Sequence, residues 1–171
     1  MTMADATGSS EQICHSQCMN EYAGRGDMQV FIIGSPLETA MAMVGDPRRY
    51  NKQLLETQQI LDALNGKKAW SRHPAVLQYR GHEKWLEHYL SCLVLYKNNA
   101  SIHAGVCSDL ARMCTPEWHT QKYYNQMKRR LYTKNPEHYK QWEHLGRSDC
   151  NWYWSQEENR FIKYINWKRI P

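Results

Sequence analysis

The sequence predicts an all-α fold class: a compact single-domain helical fold with a short extended N-terminal segment and an irregular aromatic C-terminal tail. The first observation is that a capping-type residue followed by proline, the usual signature of a helix start, recurs at Ser35-Pro36, Asp46-Pro47, Thr115-Pro116 and Asn135-Pro136. The second is that apolar residues after these starts recur at helical spacing. The length of 171 residues suits one domain with its own core.

The same signals set the expected elements. Ser35 and Glu38 form a capping box, and Gly45 ends the short helix that follows. Asn65-Gly66 is the expected stop of the next helix. Helices are expected over residues 35–45, 46–64, 73–97, 101–113, 115–134 and 136–145, the third being the central one.

The segments outside the helices differ in composition. Residues 1–27 are small, polar and acidic, which predicts a flexible acidic extension ahead of a domain over residues 28–171. Residues 29–33 are β-branched and apolar, so we expect an extended piece packed on helices, because a strand without a partner is not stable alone. The last 25 residues or so form the predicted irregular tail.

Charge is unevenly distributed along the chain. The net charge is +5, but residues 1–46 contain one basic and six acidic residues, so the remainder carries +10. A basic body rich in aromatic residues points to a polyanion, most commonly nucleic acid. Seven Trp and eleven Tyr stand against two Phe, which predicts many rings at the surface, since Trp and Tyr carry a polar group.

Several classes of protein are excluded or disfavoured. No apolar run reaches the roughly 18 residues of a membrane span, and no signal peptide begins the chain. We therefore expect a soluble monomer without membrane contact, associated with the nucleoid in the cytoplasm, or in the host cytoplasm if phage-encoded. Nucleotide-binding, hydride-transfer and common hydrolase motifs do not occur, and no cofactor is expected.

The six cysteines are expected to be reduced, because they form no C-x-x-C pair. Cys14, His15 and Cys18 can open a zinc site. No second ligand pair follows at zinc-finger spacing, so we expect no metal.

The stretch from Asp46 to Glu56 can carry chemistry. On a helix, Arg49, Lys52 and Glu56 share one face and Arg48 borders it. The cations are expected to lower the pKa of Glu56 and to bind phosphates beside a reacting sugar. An ordinary solvated helix face with i,i+4 ion pairs is the alternative.

Six features, taken together, resemble the pyrimidine-dimer DNA glycosylase family, the bacteriophage endonuclease V type. They are residues 28–32 (MQVFI), the Arg-x-x-Lys-x-x-x-Glu spacing ending at Glu56, Trp70-x-x-His73-Pro74, Trp118, residues 134–139 (KNPEHY) and Trp152-Tyr153-Trp154. The resemblance covers about residues 28–154. It implies a compact helical DNA-binding domain, with Glu56 as the catalytic carboxylate and with Arg49 and His73 matching basic or histidine positions.

The resemblance also implies an amine nucleophile that attacks the sugar C1′ and forms an imine. In the family this is the α-amine of an N-terminal threonine. Removal of Met1 would expose Thr2, but 27 residues precede the family's usual start near Met28. Lys52, one turn from Glu56, is the other available amine; the alternative, which a lysine among cations favours, is that it binds a phosphate.

Duplex DNA is the expected partner. The predicted nucleic-acid-binding residues are Arg48, Arg49, Lys52, His73, Arg80, Lys128, Arg129, Arg130, Trp152 and Trp154. The alternative role of His73 is to cap a helix. Residues 128–130 can instead form an ordinary solvated helix face, and the rings of the tail can instead pack against the helices.

The sequence therefore predicts a protein that resembles a DNA glycosylase, with possible AP lyase activity, acting on damaged or modified bases by base extrusion. Glu56, Lys52 and Thr2 are its candidate catalytic residues. Two alternatives stay open: a non-catalytic nucleic-acid-binding module on the same fold, and a phage or host protein-interaction protein.

Overall fold

The computed structural model describes residues 28–98, 115–166 and 168–171. This part of the chain is mostly helical, with a small antiparallel sheet after the helices. The helices are α1 (Pro36–Met43), α2 (Pro47–Leu64), α3 (Pro74–Leu77), α4 (Glu83–Asn98), α5 (Gln121–Lys134) and a 3₁₀ helix (Lys140–Leu145). The strands are β1 (Asn151–Ser155), β2 (Arg160–Ile165) and β3 (Lys168–Ile170), in the order β1-β2-β3.

The sheet corrects the prediction of an all-α fold with an irregular tail. Trp152 lies opposite Lys163 and Tyr153 opposite Ile162 in the β1–β2 pair, and Tyr164 lies opposite Arg169 in the β2–β3 pair. Tyr153, Ile162 and Tyr164 are buried, whereas the residues between them are at least partly exposed. This alternation is the two-residue period of a strand with one face on the core.

Two of the four expected cap–proline starts are confirmed as helix starts. Ser35 forms the predicted capping box with Glu38, and Asp46 Oδ1 accepts a hydrogen bond from the Arg49 N–H at 3.2 Å. The other two are wrong. Thr120, not Thr115, caps α5, and residues 136–139 form a turn before the 3₁₀ helix.

The long pattern over residues 73–97 is two helices rather than one. Gly81 separates α3 from α4 with a φ of +83°, a conformation that glycine adopts without steric cost. The second of these helices, α4, packs against both α1 and α2. The expectation of a central helix is therefore correct for the part that begins at Glu83.

The core is built largely from aromatic side chains. The largest fully buried ones are Trp85, Trp118, Tyr79, Tyr89, Tyr123, Tyr139 and Tyr153. Many of the rings expected at the surface are thus interior, and several of their hydroxyl groups hydrogen-bond backbone carbonyl groups, as described below.

Four predictions lie outside the described residues: the flexible extension over residues 1–27, the candidate amine at Thr2, the zinc alternative at Cys14, His15 and Cys18, and the helix over residues 101–113. Within the described ranges, no helix is long and apolar enough to cross a membrane.

Candidate active site

Residues 28–33 are a buried segment outside the helices and strands, and side chains of other elements hydrogen-bond its backbone. The Phe31 N–H donates to Gln53 Oε1 at 2.8 Å, and Gln53 Nε2 donates to the Gln29 carbonyl oxygen at 3.0 Å. The Tyr89 and Tyr123 hydroxyl groups lie 3.3 Å from the carbonyl oxygens of Phe31 and Val30, respectively. A buried backbone needs such partners, so side chains of α2, α4 and α5 fix this part of the segment.

The beginning of the same segment is fixed to β1. The Tyr153 hydroxyl donates to the Met28 carbonyl oxygen at 2.9 Å, and Gln29 Nε2 donates to the Trp152 carbonyl oxygen at 2.9 Å. Met28 and Gln29 are both buried. The sheet that the sequence did not predict therefore helps to position this end of the segment.

Glu56 lies on the buried side of α2 with only 5% of its surface exposed. Its Oε1 is 3.3 Å from Lys52 Nζ, one helical turn earlier. Its Oε2 is buried, and among the residues that the structure describes no hydrogen-bond partner lies within bonding geometry of it. A buried carboxylate oxygen without a hydrogen-bond partner is costly, and a catalytic role is one explanation for such a group.

Burial raises the pKa of Glu56 to about 7, and this outweighs the opposing effects of Lys52, the nearby backbone of Gln29, and Arg49. The prediction that the cations would lower this pKa is therefore wrong in its net direction. The cations do lower it, but the desolvation of a nearly enclosed carboxylate raises it by more. A carboxyl group with a pKa near neutral can exchange protons during catalysis.

The three cations near Glu56 on α2 differ in how far they are exposed to solvent. The Lys52 side chain is 40% exposed, so its amine reaches both the carboxylate and solvent. Arg49 is half-buried, with its guanidinium 5.7 Å from the centre of the Phe31 ring, and Arg48 is exposed. The predicted cluster of Arg49, Lys52 and Glu56 on one side of α2 is present.

His73 is fully buried and serves as the N-cap of α3, where its Nδ1 accepts a hydrogen bond from the Ala75 N–H at 3.0 Å. This is the capping alternative. Its ring makes edge contacts with Trp70 at 5.6 Å and Tyr153 at 5.8 Å between centroids. Tyr153 also donates to the Met28 carbonyl oxygen, so it links His73 to the segment over residues 28–33.

The basic residues of α5 differ in exposure. Arg130 is 3% exposed and donates a hydrogen bond to Asn151 Oδ1, which joins α5 to β1. Arg129 donates to the Arg147 carbonyl oxygen at 3.0 Å, and Lys128 lies 5.9 Å from the centre of the Trp142 ring. Lys128 and Arg129 keep part of their surface in solvent, whereas Arg130 serves the interior.

Trp152 and Trp154 lie on the outer face of the sheet, both partly exposed. Trp152 is flanked by the ammonium groups of Lys122 and Lys163, at 5.7 and 5.4 Å from a ring centroid. This pairing of a flat ring with cations can bind stacked bases and backbone phosphates.

Arg80, a further predicted DNA-binding residue, is exposed just before Gly81. Thr2 lies outside the described residues, so its relation to Glu56 stays a prediction.

Sequence reasoning missed the two glutamines that organise the site, Gln29 and Gln53. A signal existed for the second, because Gln53 follows Tyr50 by three residues and lies on the stripe that α2 buries. A fully buried glutamine on such a stripe indicates that it satisfies a neighbouring backbone. No such signal marked Gln29 or Tyr153.

Comparison with known families supports part of the expected resemblance. Residues 28–95 match the family model described as pyrimidine dimer DNA glycosylase. The matched range contains the segment over residues 28–33, α1 to α3 and most of α4, and with them Lys52, Glu56 and His73. The resemblance to this family is thus confirmed over residues 28–95; Trp118, residues 134–139 and Trp152–Trp154 lie beyond it. No match was found among curated proteins or among solved structures.

Proposed function

We propose that this protein is a DNA glycosylase that acts on damaged or modified bases in duplex DNA, with Glu56 as its catalytic carboxylate. One observation carries the proposal. A carboxylate that is 5% exposed, with a partly exposed lysine 3.3 Å from one of its oxygens, lies within the range that matches the glycosylase family. The description of that family makes a pyrimidine dimer the first substrate to test.

The proposed reaction needs a group that stabilises positive charge at the sugar. When the bond between C1′ and the base nitrogen breaks, its electron pair leaves with the base, and C1′ becomes electron-poor. The ionised Glu56 carboxylate, held in a site of low polarity, stabilises that charge more than water does. An amine that then bonds to C1′ loses a proton, and a carboxylate with a pKa of about 7 can accept it.

We further propose Lys52 as the reacting amine. Its nitrogen is 3.3 Å from Glu56 Oε1, and its side chain is 40% exposed, so it can reach a sugar approaching from solvent. Attack requires the amine within about 3 to 3.5 Å of C1′, which a residue on a fixed helix can satisfy. A terminal amine at Thr2 is the competing source.

Borohydride trapping distinguishes the two amines. Full-length protein incubated with a duplex that contains an abasic site, then reduced, is expected to give a covalent adduct whose attached peptide contains Lys52. Lys52→Ala is expected to lose most of this adduct, whereas Lys67→Ala, a lysine paired with Asp62 just past the far end of α2, is expected to keep it. An adduct on the N-terminal peptide would assign the reaction to Thr2 instead.

We propose that DNA lies across a basic surface formed by Arg48, Lys52, Arg80, Lys128 and Arg129, with Trp152 and Trp154 available for base stacking. Arg130 and His73 are left out of this surface because both are buried. All the residues assigned to the surface are at least partly exposed.

Binding to duplex DNA is expected to weaken strongly with salt. If four to six phosphates are contacted, log affinity should fall against log salt with a slope of about −4 to −5, since each contact contributes roughly −0.9. The Lys128→Gln, Arg129→Gln double variant should reduce the slope by about 2 and weaken binding to all sequences about equally. Fluorescence anisotropy at several salt concentrations measures both, and a response independent of salt would contradict every nucleic-acid interpretation.

A further inference from the structure

Leu55 is an apolar side chain on the solvent side of α2, beside the proposed site. It is 58% exposed. The residues one turn away on the same side are polar: Asn51, Lys52, Gln58 and Gln59. A single exposed leucine is ordinary in a soluble protein, so only its place beside Lys52 and Glu56 can indicate a role for it.

That position is tied to the candidate chemistry. Leu55 directly precedes Glu56, and it lies three residues after Lys52, whose amine contacts the Glu56 carboxylate. Residues three apart on a helix are neighbours, about 5 to 6 Å between Cβ atoms. A sugar that reaches Lys52 from solvent over the following turn of α2 therefore meets the surface where Leu55 projects.

The positive charges near Leu55 indicate what kind of partner this surface binds. Arg48 lies two turns before Leu55 on the same side and is exposed, and Lys52 adds a second cation. Cations that flank an apolar side chain fit a duplex better than an apolar protein surface, because they can bind the phosphates on either side of an opened base step. Apolar side chains, leucine included, can enter such a step and replace part of the lost stacking.

We propose that Leu55 is a wedge that enters the duplex beside the extruded nucleotide and occupies part of the space left in the stack. It is a positioning residue: it holds the DNA open while Lys52 and Glu56 meet the sugar. The inference rests on the proposed function, because it requires duplex DNA on this side of α2. A wedge mounted on an 18-residue helix is held more precisely than one on a loop.

The test uses full-length protein and a duplex with a tetrahydrofuran abasic analogue, which cannot react. A 2-aminopurine base beside the analogue reports stack opening by increased fluorescence. Leu55→Ala is expected to lose most of the fluorescence increase and to bind the abasic duplex about tenfold more weakly relative to the intact duplex. Leu55→Met is expected to retain both, because it keeps a similar apolar volume.

Val94→Ala is the matched control, since Val94 is an exposed apolar residue on α4 rather than α2. It is expected to behave as wild type. The salt slope of Leu55→Ala should equal that of wild type, because no phosphate contact is removed.

The possible failures are distinguishable. If wild type binds the abasic duplex and opens the stack, but Leu55→Ala does so equally well, the wedge is wrong and the proposed function stands. If wild type does not bind duplex DNA in a salt-dependent manner, the proposed function fails and the wedge with it. Equal losses in Val94→Ala and Leu55→Ala would show a general loss of structure and overturn the specific role.

Discussion

Glu56→Gln is expected to lower the rate of base excision by about a hundredfold or more while leaving DNA binding largely intact. Glutamine has nearly the shape of glutamate but no charge, so it cannot stabilise a positive C1′ or accept a proton. A loss of this size corresponds to roughly 3 kcal/mol, which a preorganised charge in a buried site can supply. The measurement is the single-turnover formation of alkali-labile breaks in a UV-irradiated duplex.

Glu87→Gln provides the matched control, because Glu87 is an exposed glutamate on α4. It should excise at the wild-type rate. If Glu56→Gln retains full activity, the assignment of the catalytic carboxylate is wrong. If Glu56→Gln loses its helical circular dichroism instead, Glu56 serves the structure.

The same substitution is expected to make the protein more stable above neutral pH. The pKa of Glu56 is raised from an ordinary value of 4.5 to about 7 in the folded protein. Below about pH 4.5 the group is protonated in both folded and unfolded states and contributes no difference. As pH rises from 4.5 through 7, the unfolded state loses this proton first, so the wild type loses stability.

Glutamine carries no ionisable group and avoids this loss. Relative to wild type, Glu56→Gln should therefore gain up to about 3 kcal/mol in unfolding free energy between pH 5 and pH 8. Urea unfolding of both proteins at the two pH values measures the difference. A Glu56→Gln protein whose stability relative to wild type is the same at both pH values would show that Glu56 is not held with a raised pKa. If Glu56→Gln is more stable but inactive, the wild-type site keeps a destabilising group because its activity requires it.

Features encoded by neighbours in sequence could be predicted. The caps at Ser35 and Asp46 depend on residues within one turn, and both begin helices. The contact of Lys52 with Glu56 follows from their i,i+4 spacing on such a helix. The match to the glycosylase family covers this same part of the chain.

Features that depend on contacts between residues far apart in the sequence could not be predicted. The raised pKa of Glu56 results from burial, and the charges visible in the sequence suggested the opposite direction. Gln53 is buried because the backbone of Phe31, 22 residues earlier, requires an acceptor. Arg130 sits in a basic run that reads as a DNA-binding face, yet it contacts Asn151 in the interior.

The sheet was missed for a different reason. The tail alternates rings with cations, a pattern that fits a nucleic-acid-binding surface as well as the two-residue period of a strand. Trp152 fits both a strand and a nucleic-acid-binding surface, because its ring lies on the outer face of the sheet between Lys122 and Lys163. Strand pairing places Tyr153 on the other face, where it reaches Met28.

The pH dependence of base excision by the wild-type protein tests the central claim most directly, because it requires both an active site and a carboxylate with a pKa near neutral. The single-turnover excision rate on a UV-irradiated duplex should be measured from pH 5 to pH 9. It is expected to rise about tenfold per pH unit at the acid end and to level off with an apparent pKa of about 7, as Glu56 ionises. No excision at any pH, or a rate that does not change across this range, would contradict the proposal that Glu56 is the catalytic carboxylate of a DNA glycosylase.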